Sequence, residues 1–489
     1  MSALLTSGAA AAGRTAAGWI HPLASVTERT MSGTRVLTSA DLCALVEARA
    51  GEWAGLGAAP GERVIVATGS RLGTLLDVAA AWELGLVPVL LSDTLAPEGY
   101  RILARATGAR AGRLTPAVAR VWGTDAVTAR SCAGSVLARL DGGGPAAADR
   151  AVHPDPAGAL PGGEPALVLA TSGSTGLPKA VVHRRAALLR NAAMHWESVG
   201  SPGPEARYLL SQSMFFSSAF VCGVLGVLAR GMGLTLIEPP FATANWFETA
   251  RETGTTHTAL TPHLLMRVLD GGGPLPGSLR QVTVGGDRLG GTALGELRRR
   301  GGAEIFTTYG LTEAGPRVAT NALGAGGDPE GIGAPLPGVR LELRSSPQAR
   351  DGMGELVVHT PTAQLGTYRD GLFVPYAAGT EVPTGDLGER LADGGIRLVG
   401  RSRRVAAVAG EKVYLGLVER VLGEHPDVSA ARVAPAEDDP AVLAARILPR
   451  PGAADVDPAA LRRWCRGRLR AVEVPRRFEV VDAGTRLTK

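Results

Sequence analysis

Residues 166–179 read ALVLATSGSTGLPK. A continuous apolar run, typical of a strand buried on both faces, passes directly into a loop rich in glycine and hydroxyl groups. Gly173 and Gly176 free the backbone to fold its N–H groups around an anion, and Lys179 adds a positive charge. Further hydroxyl donors come from Thr171, Ser172, Ser174 and Thr175. The stretch predicts a phosphate-binding loop that follows a buried strand.

The loop does not fit the other common phosphate-binding pattern, the P-loop G-x-x-x-x-G-K-[ST]. Pro178 precedes the lysine, and Ala180 stands where a serine or threonine would hold Mg²⁺. Lysine is also rare, with Lys179, Lys412 and Lys489 the only three among 51 basic residues. We therefore expect each lysine to lie where an ammonium group is needed and a guanidinium does not serve.

Outward from this loop, strand-like and helical patterns alternate along the chain. Apolar runs at residues 63–67, 87–91, 233–237, 258–260 and 281–284 are separated by helical stretches. This alternation predicts an α/β fold with several mostly parallel sheets that helices cover on both faces. After residue 400 the pattern changes to short strands with two helices, which predicts a small α+β domain. We expect a large multi-sheet α/β domain over residues 1–400 and a small domain over residues 401–489.

Composition excludes several functional classes. The net charge of +5 is small for 489 residues. The sequence has no basic run with interleaved aromatic residues, so nucleic-acid binding is not predicted. The most apolar stretch, residues 215–237, contains Arg230 and several glycines, so we expect buried core and no membrane span. The four cysteines (Cys43, Cys132, Cys222 and Cys465) have no paired spacing. Scattered cysteines favour a reducing cytoplasm over a disulfide framework or a zinc site.

The loop resembles, almost letter for letter, the phosphate loop of the adenylate-forming superfamily, which comprises acyl-CoA synthetases, nonribosomal adenylation domains and luciferases. Further landmarks of that superfamily follow in its order, from about residue 60 to the C-terminus. They are Thr308-Tyr309-Gly310-Leu311-Thr312-Glu313 for Y-G-x-T-E, Thr384-Gly385-Asp386 for T-G-D, Gly400-Arg401 for the G-R hinge, and Gly410-Glu411-Lys412-Val413 for the next turn. Five motifs in the right order identify the chain as a member.

The resemblance implies an enzyme that uses MgATP to activate a carboxylic acid as an acyl-AMP. It places Mg²⁺ on Glu313, the α-phosphate on Thr312, adenine against Tyr309, and the ribose on Asp386 with help from Arg401. It also makes the small domain a mobile lid. The catalytic set is then Lys489, Thr312, Glu313 and Lys179, and the nucleotide set is Thr171, Ser172, Gly173, Ser174, Thr175, Gly176, Thr308, Tyr309, Gly310, Asp386 and Arg401.

The superfamily has a catalytic lysine near its C-terminus, and two interpretations of Lys489 remain open. Lys489 is the last residue and the only candidate, since the chain ends Arg486-Leu487-Thr488-Lys489. Either it is the catalytic lysine, or the sequence stops just before a Thr-Gly-Lys segment and Lys489 is a neighbour.

The resemblance also implies a pocket for the acid, lined by Phe216, Ser217, Ser218, Phe220, Val221, Thr261, Gly285 and Gly286. Members that activate amino acids place an aspartate where Ser217 and Ser218 stand. A buried ammonium without that carboxylate would be costly, so an α-amino acid is disfavoured. We expect an aryl or other non-α-amino acid, with the phenylalanines as walls; the alternative is that they are ordinary core.

Three hypotheses about the function stay open, and the first two differ in the acceptor of the acyl group. The first is a thiol of CoA or of an acyl or aryl carrier protein. The second is a non-thiol acceptor, as in amide synthetases or in members that activate nitrite to diazotise an amino-aryl acid. The hinge leaves room for it, because Arg403, Ala406 and Ala407 depart from the usual polar pattern. The third is a catalytically silent nucleotide-binding protein.

Overall fold

The computed structural model describes residues 18–482 apart from short gaps. The gaps are residues 31–32, 70, 93–96, 122–129, 133–134, 140–165, 172–178, 239–240, 287–290, 326, 346–351, 370, 402–404, 409–410, 437, 440–441, 454–455 and 470. The described chain divides into two compact units. The first comprises residues up to 329, 333–339 and 359–382, and the second comprises residues 330–332, 340–358 and those from 383 onward.

The first unit contains a nine-stranded sheet whose central strands are parallel. Its Val/Leu/Ile-rich strands are almost fully buried, as expected for strands covered on both faces. Antiparallel strands complete both edges. In spatial order the strands are β16 (Ala334–Pro335), β15 (Arg317–Ala322), β14 (Glu304–Gly310), β13 (Gln281–Gly285), β12 (His257–Leu260), β10 (Arg207–Leu210), β11 (Gly233–Ile237), β1 (Ser25–Thr30) and β2 (Gly33–Thr38).

A second nine-stranded sheet in the same unit carries the strand that precedes the predicted phosphate loop. Four central strands run parallel, and the loop's flanking strands pair antiparallel. In spatial order they are β20 (Leu372–Pro375), β19 (Gly366–Arg369), β9 (Lys179–Arg184), β8 (Ala166–Thr171), β4 (Val87–Leu90), β3 (Arg63–Ala67), β5 (Ala111–Leu114), β7 (Ser135–Arg139) and β6 (Arg130–Cys132).

Two helices of the first unit, α1 and α9, begin at a residue whose side chain caps the helix. Helix α1 has a capping box in which Thr38 and Asp41 satisfy each other's backbone N–H groups. The helices are α1 (Ser39–Gly55), α2 (Arg71–Glu83), α3 (Pro97–Thr107), α4 (Pro116–Val121), α5 (Arg185–Ser198), α6 (Ser217–Phe220), α7 (Gly226–Ala229), α8 (Thr243–Glu252), α9 (Pro262–Asp270) and α10 (Gly291–Arg300). A π-helical turn, Val221–Leu225, joins α6 to α7. Most of residues 215–237 are buried, as predicted, but Phe216 is exposed.

The second unit has its own hydrophobic core, formed in part by Val413, Val418, Leu422, Ile447 and Leu461. Its three sheets contain β17 (Arg340–Arg344), β18 (Met353–His359), β21 (Glu381–Arg390) and β22 (Ile396–Arg401); β23 (Val405–Val408) and β24 (Glu411–Tyr414); and β25 (Val428–Pro435), β26 (Leu443–Pro449) and β27 (Arg477–Val480). Its helices are α11 (Leu415–Gly423) and α12 (Pro458–Arg466).

Asp457 caps α12, and Pro458 is its first residue, a position that suits proline. The α/β class with a smaller second unit is therefore confirmed. The boundary between residues 400 and 401 stays a prediction about the moving lid. Over the described residues, every helix is too short or too polar to cross a bilayer.

Candidate active site

The predicted phosphate loop connects two antiparallel strands. Thr171, the last residue of β8, pairs with Lys179, the first residue of β9, so the strands close the base of the loop. Both side chains are half-buried. The backbone therefore places the lysine and one hydroxyl donor on opposite sides of the loop's opening. The loop residues predicted to hold the phosphates lie outside the described residues: Ser172, Gly173, Ser174, Thr175 and Gly176.

Strand β9 connects this loop to the turn that carries Thr312 and Glu313. His183, near the end of β9, is completely buried, and its Nε2 nitrogen donates to the Thr312 carbonyl oxygen at 2.7 Å. Burial lowers the pKa of His183 to about 4, so the ring is neutral near pH 7. With Nε2 as the donor, the other ring nitrogen, Nδ1, is a buried acceptor without a partner among the described residues.

A third segment meets the same turn. The hydroxyl of Ser217, the first residue of α6, lies 2.9 Å from the Thr312 hydroxyl. The structure thus brings together Lys179's strand, the Thr312 turn and the start of α6, which are far apart in sequence. The hydroxyls of Thr312 and Ser217 are therefore neighbours, and the roles predicted for these two residues stay predictions.

Thr308, Tyr309 and Gly310 form the carboxyl end of β14. Ligands in open α/β sheets bind outside such ends. Tyr309 is buried, 9% exposed, so a nucleotide base would meet only part of its ring. Gly310 admits no side chain, because a Cβ atom there would lie 2.1 Å from the Pro316 carbonyl oxygen.

Glu313 fits the role of a magnesium ligand. Its side chain is half-buried and has no hydrogen-bond or ion-pair partner among the described residues. Its backbone carbonyl accepts from the N–H of Gln364 at 2.9 Å, and the buried side-chain oxygen of Gln364 is unpaired within the described chain. Among the described residues, no three or more acidic, histidine or cysteine side chains lie together in a group that could hold a metal ion. One carboxylate suffices for Mg²⁺ that keeps waters and substrate phosphates as its other ligands.

Arg317, the first residue of β15, lies directly behind the predicted site. It is 4% exposed, and its Nη1 donates to the Thr308 hydroxyl. Its backbone exchanges hydrogen bonds with the side chain of Asn191, at 2.9 Å from N–H to Oδ1 and 2.8 Å from Nδ2 to the carbonyl. Gly285 leaves room for this arrangement: a Cβ atom there would lie 2.2 Å from the Thr308 hydroxyl and 3.0 Å from Nη1 of Arg317.

A small polar cavity adjoins Arg317. About 10 Å³ is open to the centre of a water molecule. Its walls come from α5, the start of α6, the π turn and strands of the first sheet: His195, Trp196, Tyr208, Ser218, Cys222, His257, Thr258, Ala259, Gln281, Thr283 and Arg317. Of these, only Ser218 was predicted from the sequence as a pocket residue. No local pattern links Arg317 to the other walls, which come from distant elements.

The remaining predicted pocket residues take different positions. Phe216 is 55% exposed, whereas Phe220 and Val221 are fully buried in the hydrophobic core. The Thr261 hydroxyl caps α9 by accepting from the N–H of Leu264 at 3.2 Å. Gly286 has a φ of 97°, a left-handed conformation that favours glycine. Phe220 and Val221 therefore lie in the core beneath the site, and their part in the pocket stays a prediction.

The second unit carries the predicted ribose-binding pair. Asp386 on β21 is opposite Arg401 on β22 in the antiparallel register. Asp386 is 5% exposed, and its backbone N–H donates to the hydroxyl of Thr384 at 2.9 Å. The Thr384 hydroxyl in turn donates to the Leu356 carbonyl at 2.7 Å. The T-G-D motif is thus a locally braced turn within the sheet. The predicted catalytic Lys489 lies outside the described residues.

Comparison with known families matches two family profiles. One is described as "AMP-binding enzyme" and covers residues 19–368; the other, "AMP-binding enzyme C-terminal domain", covers residues 417–489.

Individual relatives are more distant. A probable CoA ligase of Humulus lupulus is 28% identical over 330 residues, which are 65% of this chain and 62% of that protein. The 2-succinylbenzoate–CoA ligase of Geobacillus kaustophilus is 30% identical over 338 residues, 65% of this chain and 66% of that protein. The chain thus spans less than two thirds of either relative. Among solved structures, the amide bond synthetase McbA of Marinactinospora thermotolerans matches with a TM-score of 0.75 and 26% identity, covering 96% of this chain and 94% of that one.

Proposed function

The chain belongs to the AMP-binding enzyme family, and from that premise we propose that it activates a carboxylic acid as an acyl-AMP. One oxygen of the acid's carboxylate attacks the α-phosphorus of ATP. The bond from the α-phosphorus to the bridging oxygen breaks, and pyrophosphate leaves. The acid is an aryl or other non-α-amino acid, because Ser217 and Ser218 offer no carboxylate to an α-ammonium group.

The observation that carries this proposal is the convergence on Thr312. Its carbonyl is held by His183 at 2.7 Å, and its hydroxyl lies 2.9 Å from that of Ser217. The strand that begins at Lys179 supplies His183, so the base of the phosphate loop and the Thr312 turn form one braced assembly. Both reactants are anions, and fixed donors that position them supply most of the catalysis in such transfers.

Each residue then has one task. Lys179 and the hydroxyls of the loop hold the β- and γ-phosphates, and Thr312 holds the α-phosphate. Glu313 binds Mg²⁺, which neutralises charge on the leaving pyrophosphate. Thr171, Thr308, Tyr309 and Gly310 complete the part of the nucleotide site that the first unit supplies. In the second unit, Asp386 and Arg401 are the proposed ribose-binding pair, and Lys489 is the proposed catalytic lysine.

In the second step, a thiol of CoA or of a carrier protein attacks the acyl carbon and AMP leaves. A proton departs from the thiol, and a thioester forms. Both ligases compared above are named as CoA ligases, which supports a thiol acceptor. The likeness to an amide bond synthetase over nearly the whole chain supports an amine as the second candidate. We propose a reducing, cytoplasmic location, because Cys43, Cys222 and Cys465 are free thiols.

The first step is tested by acid-dependent exchange of labelled pyrophosphate into ATP, without any acceptor. The panel contains benzoic, aminobenzoic, cinnamic, fatty and amino acids, with nitrite as one further member. We expect one class of non-α-amino acids to stimulate exchange. Silence of the whole panel in the presence of MgATP would refute acyl-AMP formation by this chain.

A matched pair of variants tests the metal role. Glu313→Gln removes a negative charge with little change of shape, whereas Glu304→Gln makes the same change at the exposed, opposite end of β14. We expect Glu313→Gln to raise the Mg²⁺ concentration for half-maximal exchange by about tenfold or more. Glu304→Gln should match the unmodified protein. Equal Mg²⁺ dependence in both variants would remove Glu313 from the metal site.

The acceptor is tested with the best acid from the panel. CoA, a carrier protein with its phosphopantetheine arm, and primary amines are each offered at equal concentration, and products are identified by mass spectrometry. The first candidate is supported if a thioester forms faster than AMP is released in the absence of an acceptor. An amide formed from amines in preference to thiols would replace it with the second.

A further inference from the structure

Arg317 is a buried cation for which the described structure provides no anion. The side chain is 4% exposed, and its Nη1 reaches the neutral hydroxyl of Thr308. No acidic side chain in the described parts of the chain lies within ion-pair distance of its guanidinium. The Nε nitrogen is buried and has no hydrogen-bond partner there either. A guanidinium group in a protein carries a positive charge.

The cavity beside Arg317 adds no negative charge of its own. Burial and the Arg317 charge both lower the pKa of His195, so its ring is neutral. Burial raises the pKa of the Tyr208 hydroxyl and of the Cys222 thiol, so both stay protonated. The Nδ1 nitrogen of His195 is a second buried polar atom without a partner among described residues. These walls offer hydrogen-bond donors around a positive charge.

Buried charges in proteins are normally paired, because an isolated one is expensive to remove from water. We propose that the missing anion is brought by the substrate: the acid that this chain activates carries a second anionic group, a carboxylate or sulfonate, which pairs with Arg317. This inference rests on the proposed function and specifies its substrate class. The cavity has room for about one water molecule, so only the tip of a distal group would enter it and a ring would stay outside.

The geometry separates this anion from the carboxylate that reacts. Ser217 contacts Thr312, the predicted α-phosphate residue, whereas the next residue, Ser218, lines the cavity. The start of α6 thus borders both the reaction point and the cavity. An acid lying along it reaches Thr312 with one end and Arg317 with the other. A neutral substituent would leave the guanidinium unpaired and gains less.

The test compares acids in matched pairs: benzoate with isophthalate and terephthalate, and hexanoate with adipate. The readout is kcat/KM for pyrophosphate exchange. We expect a diacid to exceed its monoacid partner by about tenfold or more, as for a charge-assisted hydrogen bond gained in a buried site. Sulfobenzoate, with a sulfonate as the second anion, should share the advantage.

Two variants assign that preference to the guanidinium. Arg317→Met removes the charge at similar volume, and Arg317→Lys keeps a charge with fewer donors. We expect the ratio of diacid to monoacid to fall to about one in Arg317→Met and to stay partly raised in Arg317→Lys. Arg63→Met is the matched control, since Arg63 is another buried arginine, on β3 of the second sheet, and donates to the Thr107 carbonyl at 2.9 Å. Its ratio should equal that of the unmodified protein.

A binding measurement keeps the inference testable without turnover. Each acid is added to the unmodified protein, Arg317→Met and Arg317→Lys, and the shift of the thermal unfolding midpoint is recorded. The inference is overturned, and acid activation stays intact, if monoacids and diacids support equal exchange and Arg317→Met does not change this. Arg317-dependent binding of diacids without any exchange supports the anion site and overturns the proposed activation. Neither exchange nor diacid binding overturns both.

Discussion

Acidification should destabilise the first unit through one histidine. His183 lies between the predicted phosphate loop and Thr312, with Nε2–H bound to a carbonyl and Nδ1 buried without a partner among described residues. Protonation of Nδ1 would create a buried charge with no anion recorded beside it. Burial accordingly lowers the pKa of His183 from 6.5 to about 4. In the unfolded chain the imidazole returns to its ordinary pKa.

The sign and size follow from this difference. Below pH 6.5 the unfolded chain binds a proton that the folded protein refuses until about pH 4, so the free energy of unfolding falls across this window. The full loss corresponds to roughly 3 kcal/mol, of which about 2 kcal/mol is reached by about pH 5. Above pH 6.5 this group adds no pH dependence. Acidification should therefore lower both stability and MgATP binding, since His183 holds the Thr312 turn.

The assay is urea unfolding followed by tryptophan fluorescence at about pH 7.5 and about pH 5. His183→Gln keeps an amide N–H near the position of Nε2 and cannot be protonated. Its loss of stability between the two conditions should be smaller than that of the unmodified protein by about 2 kcal/mol. His257, whose pKa burial lowers to about 4, still contributes in both proteins. His263→Gln, which changes an exposed histidine on α9, is the matched control. Equal losses in His183→Gln and the unmodified protein would refute the reasoning.

Three further predictions follow from single contacts. Gly285→Ala places a Cβ atom 2.2 Å from the Thr308 hydroxyl. We expect acid-dependent exchange to fall by about tenfold or more, while ATP still raises the thermal unfolding midpoint. Unchanged exchange would contradict this steric effect. Asp77→Asn leaves Arg113, 2.8 Å away and equally buried, without its buried anion, and should lower the free energy of unfolding in urea by about 3 kcal/mol; a loss below about 1 kcal/mol would contradict this. Ser217→Ala removes the hydroxyl 2.9 Å from that of the predicted α-phosphate residue, and should lower kcat/KM for exchange by about fivefold at unchanged stability; an unchanged kcat/KM would show that the contact is idle.

Local patterns predicted much of the fold. The strand predicted at residues 63–67 is observed as Arg63–Ala67, and that at 87–91 as Val87–Leu90. Such strands are continuously apolar because helices cover both faces of a parallel sheet, and this leaves a direct trace in the sequence. The order of strands in a sheet leaves none. Strand β1 lies beside β11, about two hundred residues later in the chain, and no local pattern encodes that pairing.

The site divides in the same way. Motif residues could be predicted from sequence because a phosphate loop and a Y-G-x-T-E turn act through contiguous backbone and side chains, and their roles stay predictions. The phenylalanines were harder to place: Phe216 is exposed and Phe220 is core, although only four residues separate them. Phe216 is the N-cap of α6 and has an extended backbone, so the rule that residues four apart share a helix face does not apply to this pair. Composition alone does not show where the helix begins.

The family, the α/β class and the order of the nucleotide motifs could be predicted from the sequence alone. So could the presence of Ser217 and Ser218 where the resemblance leads us to expect an aspartate in members that activate amino acids. Only the tertiary structure placed Arg317, His195 and Tyr208 around one cavity. These three residues come from β15, α5 and β10. Their neighbours in sequence do not mark them as residues of one cavity. The physical reason is that local structure depends on short-range backbone preferences, whereas the charge environment of a pocket depends on which distant strands pack together. A buried arginine is a functional signal only once its surroundings are known to supply no anion.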